Sequence, residues 1–391
     1  MLGPARKLKN AIFGAFVGIL MIPGSMALQA WNEYRTIHRT HGLDEAEEIV
    51  VSMDDPAAAR PDLDGKLVHL SAAAVSQQEL RDPIFGVSET GIRLSRDVEM
   101  YQWKEKKRTE DGNTRYSYSK KWARGRINSE SFHRSSGHEN PALAYPQWNA
   151  WAGQVDVGAF RLSDSLKKQK DDRQRLAVDI DALREQLGPD VPGPIEWANE
   201  AVYCLAGGGT PSSPNVGDVR IRFMLVPNGP VSLMAGLEGE TFQAFKTSNG
   251  ETINKLYPGT FTATEVIEKL RFENSIIAWL IRGGGFVLAL VGFLLVFGPA
   301  QRLFAWIPLV GDFTGGLIFV AAIFLAGSTS VLTISISWIA VRPLLGGTLL
   351  VLSIGLIYWL FRMRSQGADA QGISVPPPAH EPIELTDDML V

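Results

Sequence analysis

Cysteine is almost absent: Cys204 is the single one among 391 residues. No intramolecular disulfide can form, so any large exported portion has to be stable from its core alone, which is feasible at about 240 residues. Its neighbours Val202, Tyr203 and Leu205 read as a strand, and Cys204 as a buried structural thiol rather than a nucleophile. Histidine is scarce, with six. His38 and His41 read as surface residues. A zinc site at His133 and His138, beside Glu130 and Glu139, would match no established ligand spacing. No Asn-x-Ser/Thr acceptor occurs, which fits a bacterial periplasm somewhat better than an endoplasmic lumen. Gly207-Gly208-Gly209-Thr210 lacks the lysine of a phosphate loop, and no Gly-x-Ser-x-Gly elbow exists. An acid–base set of Asp97, Glu99 and His138 has no motif behind it. The net charge of −4 shows none of the excess of basic charge carried by nucleic-acid binders. These absences point away from an enzyme, a cofactor, a metal or a nucleic-acid partner.

What is present is segregation. The mean hydropathy of +0.01 resembles that of a soluble protein, but residues 34–274 are charged throughout and 276–362 are almost wholly apolar. That is a soluble domain joined to a membrane anchor. The first apolar run, 11–31, follows Arg6, Lys7 and Lys9. It is longer than the 7–15 residues of a signal-peptide core, which favours a retained anchor, although Ser25-Met26-Ala27 resembles a cleavage site. The second span is read at 276–297, an interfacial piece at 299–313, a third span at 314–340 and a fourth at 344–361. Arg282 lies inside the second span, where it can snorkel or pair with another helix. Gly283, Gly284 and Gly285 beside it admit a close neighbour, and Ser328 with the other hydroxyls of the third span can bond across helices. Arg342-Pro343 breaks the chain before the fourth span.

With the N-terminus cytoplasmic, Arg6, Lys7, Lys9, Arg302, Arg362 and Arg364 all fall on the cytoplasmic side. The 32–274 domain is then exported. Alternating runs within it read as strands at 48–53, 66–73, 92–103, 114–124, 154–162 and 219–227. Asp111-Gly112 makes a hairpin of 98–103 with 114–122, and Tyr101, Trp103, Tyr116, Tyr118 and Trp122 on its arms read as cross-strand packing. One helix is expected near 164–187, stopped by Gly188-Pro189, and a second at 263–273 leads into the membrane. The acidic, Pro-rich stretch 365–391 reads as a disordered cytoplasmic tail.

Several blocks of sequence carry a family resemblance. They are Gly65-Lys66-Leu67-Val68-His69, then Asp97-Val98-Glu99-Met100-Tyr101-Gln102-Trp103, Thr109-Glu110-Asp111-Gly112 and Thr114-Arg115-Tyr116-Ser117-Tyr118. Trp122, Asn128, His138-Glu139-Asn140-Pro141, Gly217-Asp218, Arg282 and Arg342-Pro343 continue it, with Asn32-Glu33 and Arg35 after the first span. With these the chain resembles the transmembrane protein 43 family, also called LUMA, as a bacterial member. The resemblance implies four spans and a lumenal or periplasmic domain. In animals it implies residence in the inner nuclear membrane and endoplasmic reticulum, association with lamins and emerin, self-association, and a role in organising membrane protein complexes. It implies no catalytic residue. The charged helix and the acidic tail depart from the family pattern, and a bacterial cell has no lamina.

The expectation is therefore a multi-pass α-helical membrane protein of four spans with a large exported β-rich α+β domain, acting as a scaffold. Its partners are the lipid bilayer, other copies of itself and other membrane proteins. Two alternatives stand beside it. One is a receptor or enzyme with a cleft near the 98–122 hairpin. The other is a channel or transporter built around Arg282.

Overall fold

The computed structural model describes residues 4–58, 60–110, 113–188, 193–304, 310–339, 347–348, 350–355, 358–359 and 362. The chain divides into two compact units, one of residues 35–279 and one of 8–34 with the chain from 280 on.

In the first unit, strands β1 (Val51–Met53), β2 (Leu67–Val75), β3 (Glu79–Arg81), β4 (Ser88–Thr90), β5 (Arg93–Glu110), β6 (Asn113–Arg124), β7 (Trp148–Trp151), β8 (Asp156–Val157), β9 (Phe160–Arg161) and β10 (Gln174–Arg175) come first. They are followed by β11 (Ile195–Ala198), β12 (Ala201–Cys204), β13 (Val219–Val226), β14 (Gly229–Glu238), β15 (Thr241–Gln243), β16 (Phe245–Lys246), β17 (Thr252–Ile253) and β18 (Lys255–Pro258). One sheet runs β1-β2-β8-β9-β15-β14-β18, with β2 also paired to β14 from Leu67↔Gly236 to Ala74↔Gly229. A second runs β11-β12-β13-β5-β6, with β7 on β5 and β10 on β13. Val219, Ile221 and Phe223 alternate inward along β13, as a strand with one buried face requires. Their core, with Val98, Met100 and Cys204, lies apart from a second cluster built on Leu70, Ile92, Leu94 and Leu233.

Helices α1 (Pro4–Ile49), α2 (Asp164–Lys167), α3 (Ile180–Leu187), α4 (Ala263–Phe304) and α5 (Val310–Ile339) complete the chain. The end of α1 and the start of α4 enter the first unit together. Leu43, Ala46, Val266, Ile267 and Leu270 pack with Leu67 and Met234 of the sheet, and Arg271 reaches both Asp44 and Glu47 at 2.7 Å.

The single helix expected over 164–187 is two short ones. Between them Lys170 turns inward to Asp172 at 2.7 Å, and Gln174 and Arg175 pair with Leu225 and Met224 as a strand. Ladder bonding to β13 outcompetes helix formation there. Asp179 then caps α3 through the Asp181 and Ala182 amides, and Gly188 ends it at φ 68°.

Three described helices are long and apolar enough to cross a membrane: Lys9–Ile49, Ala263–Gln301 and Gly316–Ile339. Pro23 sits inside α1 and Pro299 inside α4. Where an interfacial piece was expected, α4 continues to Phe304. Residues 305–309, Arg342-Pro343, much of the expected fourth span and the tail lie outside the described residues.

Candidate functional site

The second unit holds a polar cluster where α1, α4 and α5 meet. Arg282 on α4 donates to Glu33 on α1 through Nε and Nη2, both at 2.7 Å. This is the paired, fork-shaped geometry that suits guanidinium and carboxylate best. Trp338 on α5 donates its indole N–H to the same carboxylate, and its ring lies 5.7 Å from the Arg282 guanidinium carbon. The Glu33 side chain is 1 % exposed and that of Arg282 14 %. An unpaired charge at such a position would be costly, so each member depends on the others. Close to it in sequence on α1, Gln29 donates to Ser330 of α5 at 3.2 Å.

The glycines decide how close these helices come. A Cβ on Gly285 would lie 2.5 Å from Gln29 Cγ, and one on Gly18 2.5 Å from the Gly292 carbonyl oxygen. Of the three glycines beside Arg282, Gly285 thus receives a neighbour, while Gly283 and Gly284 have nothing within 4 Å among the described residues. Most α5 hydroxyls bond back along their own helix: Thr329 to Leu325, Thr333 to Thr329, Ser335 to Val331 and Ser337 to Thr333. Ser328 Oγ is buried with no hydrogen-bond partner among the described residues.

In the first unit, the motif residues converge on the base of the β5–β6 hairpin. Gln102 is fully buried, accepting from Ile127 N at 2.7 Å and donating to the Gly125 carbonyl at 2.6 Å. Asn140 accepts from Trp103 N at 2.7 Å and donates to the Trp103 and Ile127 carbonyls. Asp218 accepts from the Gly207 and Asn215 amides, both at 2.7 Å. Gly217, at φ 102°, donates its N–H to the Tyr101 carbonyl and packs near Pro141. Asn128 accepts from the Glu130 amide. Asp97 pairs with Arg124 at 3.0 Å. Burial pushes the Glu99 carboxyl up, but the hydrogen bonds and charges of Arg220 at 2.7 Å and Arg222 at 3.0 Å outweigh it and hold the group below its ordinary range.

The hairpin aromatics are spoken for. Tyr101 contacts Trp122, which meets Tyr203 edge-on, and Arg220 sits 4.6 Å above the Trp122 ring. Tyr116 stacks on His133 and Tyr118 on His138, with Trp103 edge-on to His138. These rings pack against one another, as cross-strand and loop-to-strand pairs do. Among the described residues no group of three His, Cys, Asp or Glu is placed to hold a metal ion.

Two features escaped sequence reasoning. The carboxylate that Arg282 meets is 249 residues away in the chain. Arg96 and Asp82 form a second buried pair at 2.6 Å, with side chains 1 % and 0 % exposed.

A β-rich domain continuous with apolar helices of membrane-spanning length, clasped by a buried ion pair, defines an integral membrane protein. The transmembrane protein 43 family model matches residues 100–343. The human and mouse transmembrane protein 43 are each 31 % identical to the chain, over 367 and 363 residues, covering 88 % of both sequences in each case. The Drosophila melanogaster homolog is 26 % identical over 374 residues, 90 % of this chain and 94 % of that one. The chain belongs to the transmembrane protein 43 family. No solved structure matches it.

Proposed function

We propose that the protein is a membrane scaffold: its helical unit self-associates, and its β-rich domain, held on the exported side, makes protein contacts. The observation that carries this reading is the saturation of Glu33. Both carboxylate oxygens are used in joining three helices. A group serving ion or substrate movement would keep some capacity for its cargo, whereas this one holds the helices in register. Gly283 and Gly284, with nothing within 4 Å among the described residues, add a small-residue helix surface of the kind against which a second copy packs. A fourth span over 344–361 and a bacterial inner membrane with a periplasmic domain complete the proposal.

The test is the mass of the intact protein in mild detergent, by light scattering with detergent correction. A defined oligomer is expected. A monomer at every concentration would remove the self-association. A second reading, a small-molecule receptor, is favoured by one cavity of about 340 Å³ between the β3–β4 ribbon and α3. Arg81, Glu89, Asp179 and Gln186 line it, and its size lies at the low end for ligand pockets. A monomer that co-purifies with a small molecule would select that reading.

A further inference from the structure

Beyond Met100, β5 leaves the sheet. Its pairing with β13 ends at Met100↔Val219, and residues 102–110 pair with β6 alone. The result is a two-stranded ribbon about 30 Å long at 3.3 Å per residue. Cross-strand partners share a face, so the register sorts its side chains into two sets. One face carries Trp103, Glu105, Tyr116, Tyr118 and Lys120, and is covered by Phe132, His133 and His138. The opposite face begins at buried Gln102 and ends at the tip pair Glu110↔Asn113. Between those ends it presents Lys104, Lys106, Arg108, Arg115 and Lys121 with Ser117 and Ser119, every one exposed. None of these five cations has an ion-pair partner among the described residues.

Arg108 stands directly opposite Arg115. Like charges at directly paired positions destabilise a ladder, and an isolated two-stranded ribbon is marginal to begin with. Folding alone would be served better by Thr or Glu at either position. The face also carries no aromatic ring, so it lacks the stacking platform that binders of single-stranded nucleic acid use. The domain that bears it continues at both ends, through α1 and α4, into apolar spans. A layer of lipid headgroups is therefore the anionic surface to which it is permanently tethered.

We propose that this serine-lined basic face of the β5–β6 ribbon docks on the headgroups of anionic phospholipids. The inference stands independently of the scaffold reading. Each lysine or arginine brought to an anionic bilayer contributes about 1 kcal/mol, or about five-fold in occupancy. Several acting together give binding that salt weakens.

The test is amide hydrogen exchange of the full-length protein in lipid nanodiscs, of phosphatidylcholine alone or of phosphatidylcholine with phosphatidylglycerol. Peptides within 102–121 are expected to exchange at least about five-fold more slowly in the anionic discs, while β13 exchanges equally in both. Added salt should abolish the difference, as should the triple variant Lys104→Gln/Lys106→Gln/Arg108→Gln, whose positions are exposed and bear on no core. Equal exchange in the two discs overturns the proposal, and so does a difference that survives the triple variant. Protection by soluble polyphosphate or an oligonucleotide, with none from the anionic discs, would assign the face to a soluble polyanion and overturn the lipid assignment.

Discussion

Glu33 and Arg282 share two parallel hydrogen bonds of 2.7 Å, joining the middle of α1 to α4. Removing one member leaves the other charged and buried, a loss of roughly 3–5 kcal/mol in comparable sites, whereas replacing both with apolar residues is often close to neutral. Arg282→Leu and Glu33→Leu should therefore each lower the unfolding midpoint in detergent sharply and impair assembly without preventing membrane insertion. The double variant should recover much of the loss. The check is a double-mutant cycle. Additive losses would mean that the pair is not a coupled unit.

The glycines make a contrasting pair of predictions. Gly18→Ala places a methyl 2.5 Å from the Gly292 carbonyl oxygen, so two helix backbones must separate. Overpacking of this kind costs typically about 1–3 kcal/mol. Gly284→Ala meets nothing within 4 Å among the described residues, and alanine is the better helix former by about 1 kcal/mol. It should leave the folded unit unharmed or slightly more stable. Thermal unfolding of both variants in one detergent checks the ranking. A Gly284→Ala protein that unfolds normally but loses mass in light scattering would locate the contact between copies at that glycine.

How much of this was readable in the sequence depended on whether the determining contact was local. Asp111-Gly112 between alternating arms specified the hairpin of β5 and β6, because turn type and register are set within a few residues. The inward alternation of Val219, Ile221 and Phe223 specified β13 in the same way. The run Val231–Leu237 of β14 is buried on both faces and has no alternation to read. Leu176, Ile180, Leu183 and Leu187 mimic one helical stripe, but Leu176 donates its N–H to Phe223 as extended chain, a partner that only the tertiary fold supplies. At the candidate site, the cost of burying Arg282 signalled that it needed a partner. Nothing local identified Glu33, because the pairing follows from how three helices pack.

Glu99 gives the β-rich domain a pH dependence with a definite sign. Burial raises its pKa, but Arg220 and Arg222 more than compensate, and the net value falls below the ordinary 4.5. A depressed carboxylate stabilises the fold fully above its unfolded value, and the contribution is lost as pH falls from about 4.5 through the lower folded value. Glu99→Gln should cost roughly 1.5–3 kcal/mol at neutral pH, the range for hydrogen bonds to a charged group. It should also flatten the acid limb of stability below pH 4.5. Unfolding midpoints of both proteins from neutral pH downward test this. Parallel curves would show that Glu99 does not carry that limb.

Topology can be tested with one added thiol because the native one is silent. Cys204 is 1 % exposed, and burial pushes its thiol up to about 12 although the Tyr145 hydroxyl partly offsets the shift. A thiol reacts as its thiolate, so native Cys204 should resist maleimide and label only on unfolding. Ser117 is exposed on the outer strand of the ribbon. Read in high salt, which releases the headgroup contact of its face, Ser117→Cys in the otherwise native chain is then a single reporter of where the domain lies. In intact cells a membrane-impermeant maleimide that reaches the periplasm should label it without lysis. Labelling only after the inner membrane is opened would place the domain in the cytoplasm and reverse the orientation drawn from Arg6, Lys7 and Lys9. Labelling of the unsubstituted protein in its folded state would show instead that Cys204 is accessible, contrary to its packing against Val202, Val219 and Ile221.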